Sequence, residues 1–131
     1  MSTIRRQLAG PMLSFDLARE IENLRADSAY ERTGRLGRTL AKSGRLRLVL
    51  VVLEAGVEVG THHADSPLTL QPLEGLLRFR VGDEDHEIRA GQVLYFGAGD
   101  AQQIHAVERT ALLLTLSMVE EGRSPGALAE L

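Results

Sequence analysis

From Leu46 onward the chain is divided at short, nearly even intervals by residues that turn a backbone. They are Gly56, Asp65 to Pro67, Glu74 and Gly75, Gly82 and Asp83, Ala90 and Gly91, Gly97 to Asp100, and Arg109 and Thr110. The pieces between them are Val57 to His62, Leu68 to Leu73, Leu76 to Val81, Glu84 to Arg89, Gln92 to Phe96, Gln102 to Glu108 and Ala111 to Val119. Each is too short for an ordinary helix. Many short strands separated by regular turn signals predict an all-β sandwich or barrel.

The strand faces follow from alternation. In Leu77, Arg78, Phe79, Arg80 and Val81 the apolar residues take one side and the arginines the other, so Phe79 points inward. Leu48 to Leu53 is instead a continuous Val and Leu run bounded by Gly44 and Gly56, the pattern of a buried strand. Leu36, Arg38 and Leu40 fit a further strand within a basic stretch running from Arg32 to Arg47, which is expected to be a solvated face. The only helical period lies in Ser14 to Arg25, where Leu17, Ile21 and Leu24 recur behind a Ser14 cap and Asp16. The chain therefore divides into an N-terminal arm with one short helix (1–35), a barrel (36–120) and a C-terminal tail (121–131).

A length of 131 residues suits one domain. With no cysteine, disulfides, thiolate metal sites and cysteine nucleophiles are excluded. The net charge of -3 gives no basic excess for nucleic acid. No apolar segment approaches a bilayer span. Arg5, Arg6 and Leu8 to Leu13 faintly mimic a secretory leader, but Gly10 and Pro11 interrupt it, so no membrane partner and a cytoplasmic location are expected. The serines lack a nucleophile-elbow context, and Gly97-Ala98-Gly99 lacks the Lys and Ser or Thr of a phosphate loop.

Two motifs in Gly56 to Val119, about half the chain, resemble those of the cupin superfamily. The family's first motif is Gly, five residues, His, one residue, His, three or four residues, Glu, six residues, Gly. Here Gly56, His62 and Gly75 stand in that order. The second is Gly, five residues, Pro, one residue, Gly, two residues, His; here Gly91 and Gly99 match, Gly97 replaces the Pro, and Gln102 replaces the His. The resemblance implies a double-stranded β-helix, the jelly-roll barrel, with a divalent metal held by two His and a Glu from the first motif and a His from the second.

Two registers remain open. Counting forward from Gly56 puts His62 and Ala64 in the two His slots; counting back from Gly75 puts Thr61 and His63 there. Strand parity from Val57 and Val59 favours His63 as the inward residue, whereas the forward count favours His62. The Glu slot falls on Leu68 or Thr69, neither of them acidic. A metal, if held, would be iron, manganese, nickel or zinc on His62, His63 and Gln102, a poor set for ions that want three good protein ligands. His105, three residues past Gln102, and His86 are read as surface residues.

The candidate ligand-binding residues are His62, His63, Gln71, Gln102, Phe79 and Tyr95, with Leu68, Leu70 and Ile104 completing an apolar wall. No catalytic residue is identifiable. The first reading is a cupin that binds a small molecule in its barrel beside a degenerate metal site, as a homodimer. The second is a metal-dependent dioxygenase or isomerase with an atypical His and Gln ligand set. The third is a structural dimer or accessory subunit.

Overall fold

The computed structural model describes residues 8–60, 67–97 and 102–117, the side chain of Gln102 excepted. Asp16, in an extended conformation, accepts the Arg19 N–H at 3.2 Å and caps helix α1 (Leu17–Ala26). The cap is thus Asp16, not Ser14. Asp27 then stands at a double junction. Its N–H bonds the Leu24 carbonyl, and its carboxylate accepts the Ala29 N–H at 2.8 Å to start α2 (Ser28–Thr33). Gly34, at φ +75°, supplies the left-handed residue that ends α2. This second helix was not expected, because six residues with Tyr30 alone buried carry no legible period.

The strands are β1 (Arg35–Ser43), β2 (Leu46–Leu53), β3 (Glu58–Val59), β4 (Leu68–Glu74), β5 (Leu76–Val81), β6 (Glu84–Arg89), β7 (Leu94–Phe96), β8 (Gln102–Ala106) and β9 (Thr110–Ser117). They form two antiparallel sheets, one of five strands in the order β1-β2-β9-β4-β7 and one of four in the order β3-β8-β5-β6. The all-β jelly-roll expectation holds. β7 starts at Leu94, later than the Gln92 expected, because the Gln92 side chain accepts the Arg89 N–H at 2.9 Å and holds the preceding turn.

Gly75, between β4 and β5, is one of the points at which the chain passes from one sheet to the other. Its φ is +90°, and an added Cβ would collide with the Arg109 carbonyl oxygen and the Thr110 hydroxyl. Only glycine fits there.

Between the sheets lies the larger core. β2 contributes Val49, Val51 and Leu53, its sheet neighbours β9 and β4 contribute Leu114 and Leu70, and the facing sheet contributes Leu77, Phe79 and Ile104, all at most 2% exposed. The outward residues of β2, Leu50 and Val52, are fully buried too, in a second core with Ile21, Leu24 and Tyr30 of the helices. The unbroken apolar run is thereby explained, since this strand is covered on both faces. In the basic stretch Arg32, Arg35, Lys42 and Arg45 are exposed as expected, whereas Arg38 and Arg47 are half-buried: Arg38 bonds Glu20 at 2.9 Å, and Arg47 bonds the Thr39 hydroxyl at 2.9 and 3.2 Å.

Candidate functional site

The inner face near the start of β4 is set by strand parity. In the segment leading through β3, Val57 and Val59 pack into the core while Glu58 faces out. His62 and His63 follow and lie outside the described residues. Leu68 opens β4 across from Phe96 and Leu116 and is 2% exposed in the inner core. Thr69 faces the other way, onto an outer groove beside Tyr95. Of the two residues on the family's carboxylate slot, the inward one is therefore Leu68, a hydrocarbon.

On β8, Gln102 pairs with Val81 and Ile104 with Phe79; the Gln102 side chain lies outside the described residues. Ile104 is buried, and Gln103 and His105 face out, as expected for His105. Phe79 is 1% exposed and meets Phe96 edge to face at 5.4 Å between ring centres, so it belongs to the interior wall.

Two expected site residues are corrected. Tyr95 is 69% exposed, because β7 alternates and Phe96 takes the inward position. Gln71 is exposed for the same reason: Leu70 takes the core side of β4, and Gln71 shares the outer face with Thr69. Neither lines the barrel interior.

The described inner wall offers hydrocarbon and one aromatic pair. Among the described residues no three His, Asp or Glu converge to hold a metal. The family's carboxylate slot is filled by Leu68, which offers no ligand atom, and iron or zinc generally wants three good protein ligands, more than an imidazole pair and an amide. Of the family's four ligand slots the described one, Leu68, does not fit a metal, and the side chains of His62, His63 and Gln102 lie outside the described residues.

The outer face of the four-stranded sheet is different. Register aligns Glu58, His105, Arg78 and Glu87 in one row, and Gln103, Arg80 and Asp85 in the next. Arg80 grips both oxygens of Asp85, Nε to Oδ1 at 2.7 Å and Nη2 to Oδ2 at 3.0 Å. The Arg80 hydrogen bond holds the Asp85 carboxyl below the usual carboxylate range, and Asp85 in turn raises Arg80. Gln103 donates to Glu58 at 2.8 Å, and His105 Nδ1 stands 3.8 Å from the same carboxylate. Arg78 and Glu87 are 3.5 Å apart. These residues, Glu87 aside, line a cleft of about 260 Å³ in which the charges are already paired. His86 is exposed beside Glu84 at 3.4 Å.

A second polar cluster, missed from sequence, lies under the helices. The Tyr30 hydroxyl donates to Glu54 Oε2 at 3.0 Å, and Arg25 Nη1 pairs with Glu74 Oε1. Burial foremost, and then Glu54, raises the Tyr30 pKa; the nearby Arg25 guanidinium acts in the opposite direction. Only the missed α2 places Tyr30 there, so no local signal announced the cluster.

No protein-family model and no curated protein sequence matches the chain. Solved structures do. A conserved protein of unknown function from Streptococcus pyogenes is similar at 25% identity and a TM-score of 0.68, over 92% of this chain and 97% of that one. A cupin superfamily protein from Desulfitobacterium hafniense is similar at 20% identity and a TM-score of 0.62, over 65% and 78%. Salicylate 1,2-dioxygenase from Pseudoaminobacter salicylatoxidans gives a TM-score of 0.72 at 16% identity, over 85% of this chain but only 36% of the enzyme. At these identities the named relatives share a fold with the chain.

Proposed function

We propose that this chain, which has the double-stranded β-helix fold of the cupin superfamily, binds a small, partly apolar molecule in its barrel without the family's four-ligand metal centre. The observation that carries this reading is Leu68, whose buried side chain occupies the inward position where the family's carboxylate would stand. A carboxylate there would accept charge from a cation; a leucine offers only contact to hydrocarbon. Phe79 and Phe96 add aromatic surface to the same interior. His62, His63 and Gln102 supply the polar groups that orient the ligand, and no general base is assigned.

The molecule acts as a binding protein rather than as the dioxygenase or isomerase that the fold also houses, since one barrel hosts many functions. Two copies associate, a reading supported by the nine-residue edge strand β1, and light scattering would read that state directly. The proposed soluble, cytoplasmic setting agrees with the finding that no helix among the described residues is long and apolar enough to cross a membrane.

The test of the ligand reading is a small-molecule screen by amide chemical-shift mapping on the nitrogen-15-labelled protein. Hits are expected to move the amides of Leu68, Phe79, Phe96 and Gln102 together. Hits confined to the helices or to the arginine face of the four-stranded sheet would overturn it.

A further inference from the structure

Arg25, in the last turn of α1, is only partly satisfied: the Tyr30 hydroxyl lies close enough to interact with its guanidinium, yet not every donor is met. Its side chain is only 15% exposed, and Glu74, itself 47% exposed, engages Nη1 alone. Nε and Nη2 are buried without a hydrogen-bond partner. These two nitrogens form the edge of a guanidinium whose N–H bonds run parallel, the edge that fits both oxygens of a carboxylate. The same protein shows the fit at Arg80, where Nε and Nη2 take the two oxygens of Asp85. Buried donors are nearly always satisfied, so two buried guanidinium nitrogens without a partner mark a place for an acceptor.

Arg25 also lines a cavity of about 590 Å³ between α1 and the end of β4. Leu17, Ile21 and Leu73 give it an apolar wall, and Arg109 adds a second cation that offsets Glu22 at its margin. We propose that this cavity binds a small amphipathic monocarboxylate, its hydrocarbon against Leu17, Ile21 and Leu73 and its carboxylate on the Nε and Nη2 edge of Arg25. Both nitrogens are withdrawn from water in the ligand-free arrangement. The ligand therefore turns the guanidinium toward the cavity, and the half-exposed Glu74 follows it. The site lies on the outer face of the five-stranded sheet and is independent of the barrel interior.

Octanoate, titrated into the nitrogen-15-labelled full chain, is the probe, with octylammonium at equal concentration as the control of opposite charge. Octanoate is expected to give saturable shifts at the amides of Leu17, Ile21, Arg25 and Leu73, and octylammonium is not. Arg25→Lys keeps the charge but loses the fork, and is expected to weaken octanoate by about tenfold or more, the loss of a charge-assisted hydrogen bond. Ala18→Trp, on the exposed surface of α1 beside the cavity, blocks the space without touching Arg25 and abolishes the shifts. Unsaturable shifts, shifts confined to Leu68, Phe79 and Phe96, or Ala18→Trp binding octanoate as tightly as the parent would each overturn the proposal.

Discussion

On the five-stranded sheet the outward residues of β2 are Leu50 and Val52, and they are as buried as their inward neighbours; on the four-stranded sheet the outward residues of β5 are Arg78 and Arg80, and they stand in water. The inner faces are alike, since both feed one apolar core. What differs is the demand each sheet makes on the rest of the chain. A strand with hydrocarbon on both faces needs a second layer, and α1 and α2 supply it through Ile21, Leu24 and Tyr30. A strand with alternating arginines needs only partners of opposite charge, which its hairpin neighbour β6 supplies through Asp85 and Glu87. The first face is held by burial. The second is held by exposed ion pairs, which contribute little to stability.

The most damaging change acts on the tight β4–β5 crossing between the two sheets. Gly75→Ala drives a Cβ into the Arg109 and Thr110 backbone at φ +90° and should remove about 3 kcal/mol or more, or prevent folding, in urea unfolding followed by circular dichroism. A variant as stable as the parent would mean that the two sheets do not depend on this crossing.

The covered outer face is tested next. Leu24→Ala empties a fully covered position under the helices and should cost about 2 to 4 kcal/mol, close to the cost of Leu114→Ala between the sheets. Equal costs would make the helical layer a true second core. A cost near zero for Leu24→Ala, with a normal cost for Leu114→Ala, would reduce the helices to an appendage.

Tyr30 gives the same face a dependence on alkali. Its pKa is raised above 10.0, so the folded state keeps its proton where the unfolded chain gives it up. The stability this represents is complete below pH 10 and is lost as pH rises through the raised value. Tyr30→Phe should cost about 1 kcal/mol at neutral pH for the Glu54 hydrogen bond and should flatten the decline above pH 10. Parallel alkaline curves for the two proteins would contradict the burial argument.

The smallest effect belongs to the arginine face. Asp85 has a lowered pKa, so its contribution is present above the ordinary carboxylate range and fades as pH falls through the lowered value. The pair is exposed, and Asp85→Asn should leave the thermal midpoint at pH 7 within the scatter of replicate melts. A clear drop would show that the exposed face carries more than its geometry implies.

The same contrast explains what could be read from the residues alone. Leu77 to Val81 announced its two faces by alternation, and Leu48 to Leu53 announced burial by its unbroken run. The sequence did not announce what covered that run, because α2 owes its place to Asp27 and Gly34 at its ends rather than to any apolar period. Gln71 and Tyr95 were misplaced for a related reason. A polar residue between Leu70 and Pro72, or beside Phe96, fits either side of a strand until its register against β9 or β4 is known. Arg25 escaped notice because a helical arginine is ordinarily a surface residue, and only its burial without full pairing sets it apart. Leu68, by contrast, was legible as a missing carboxylate, and the structure adds that its side chain points inward.

That leucine supports the central claim, that the barrel serves a small molecule without the family's four-ligand metal centre. The most direct measurement is elemental analysis of protein purified without an affinity tag and then incubated with iron, manganese, nickel and zinc in turn. Metal is expected far below one equivalent per chain, unchanged in His62→Ala and His63→Ala. Close to one equivalent of a transition metal, lost in either histidine variant, would contradict it.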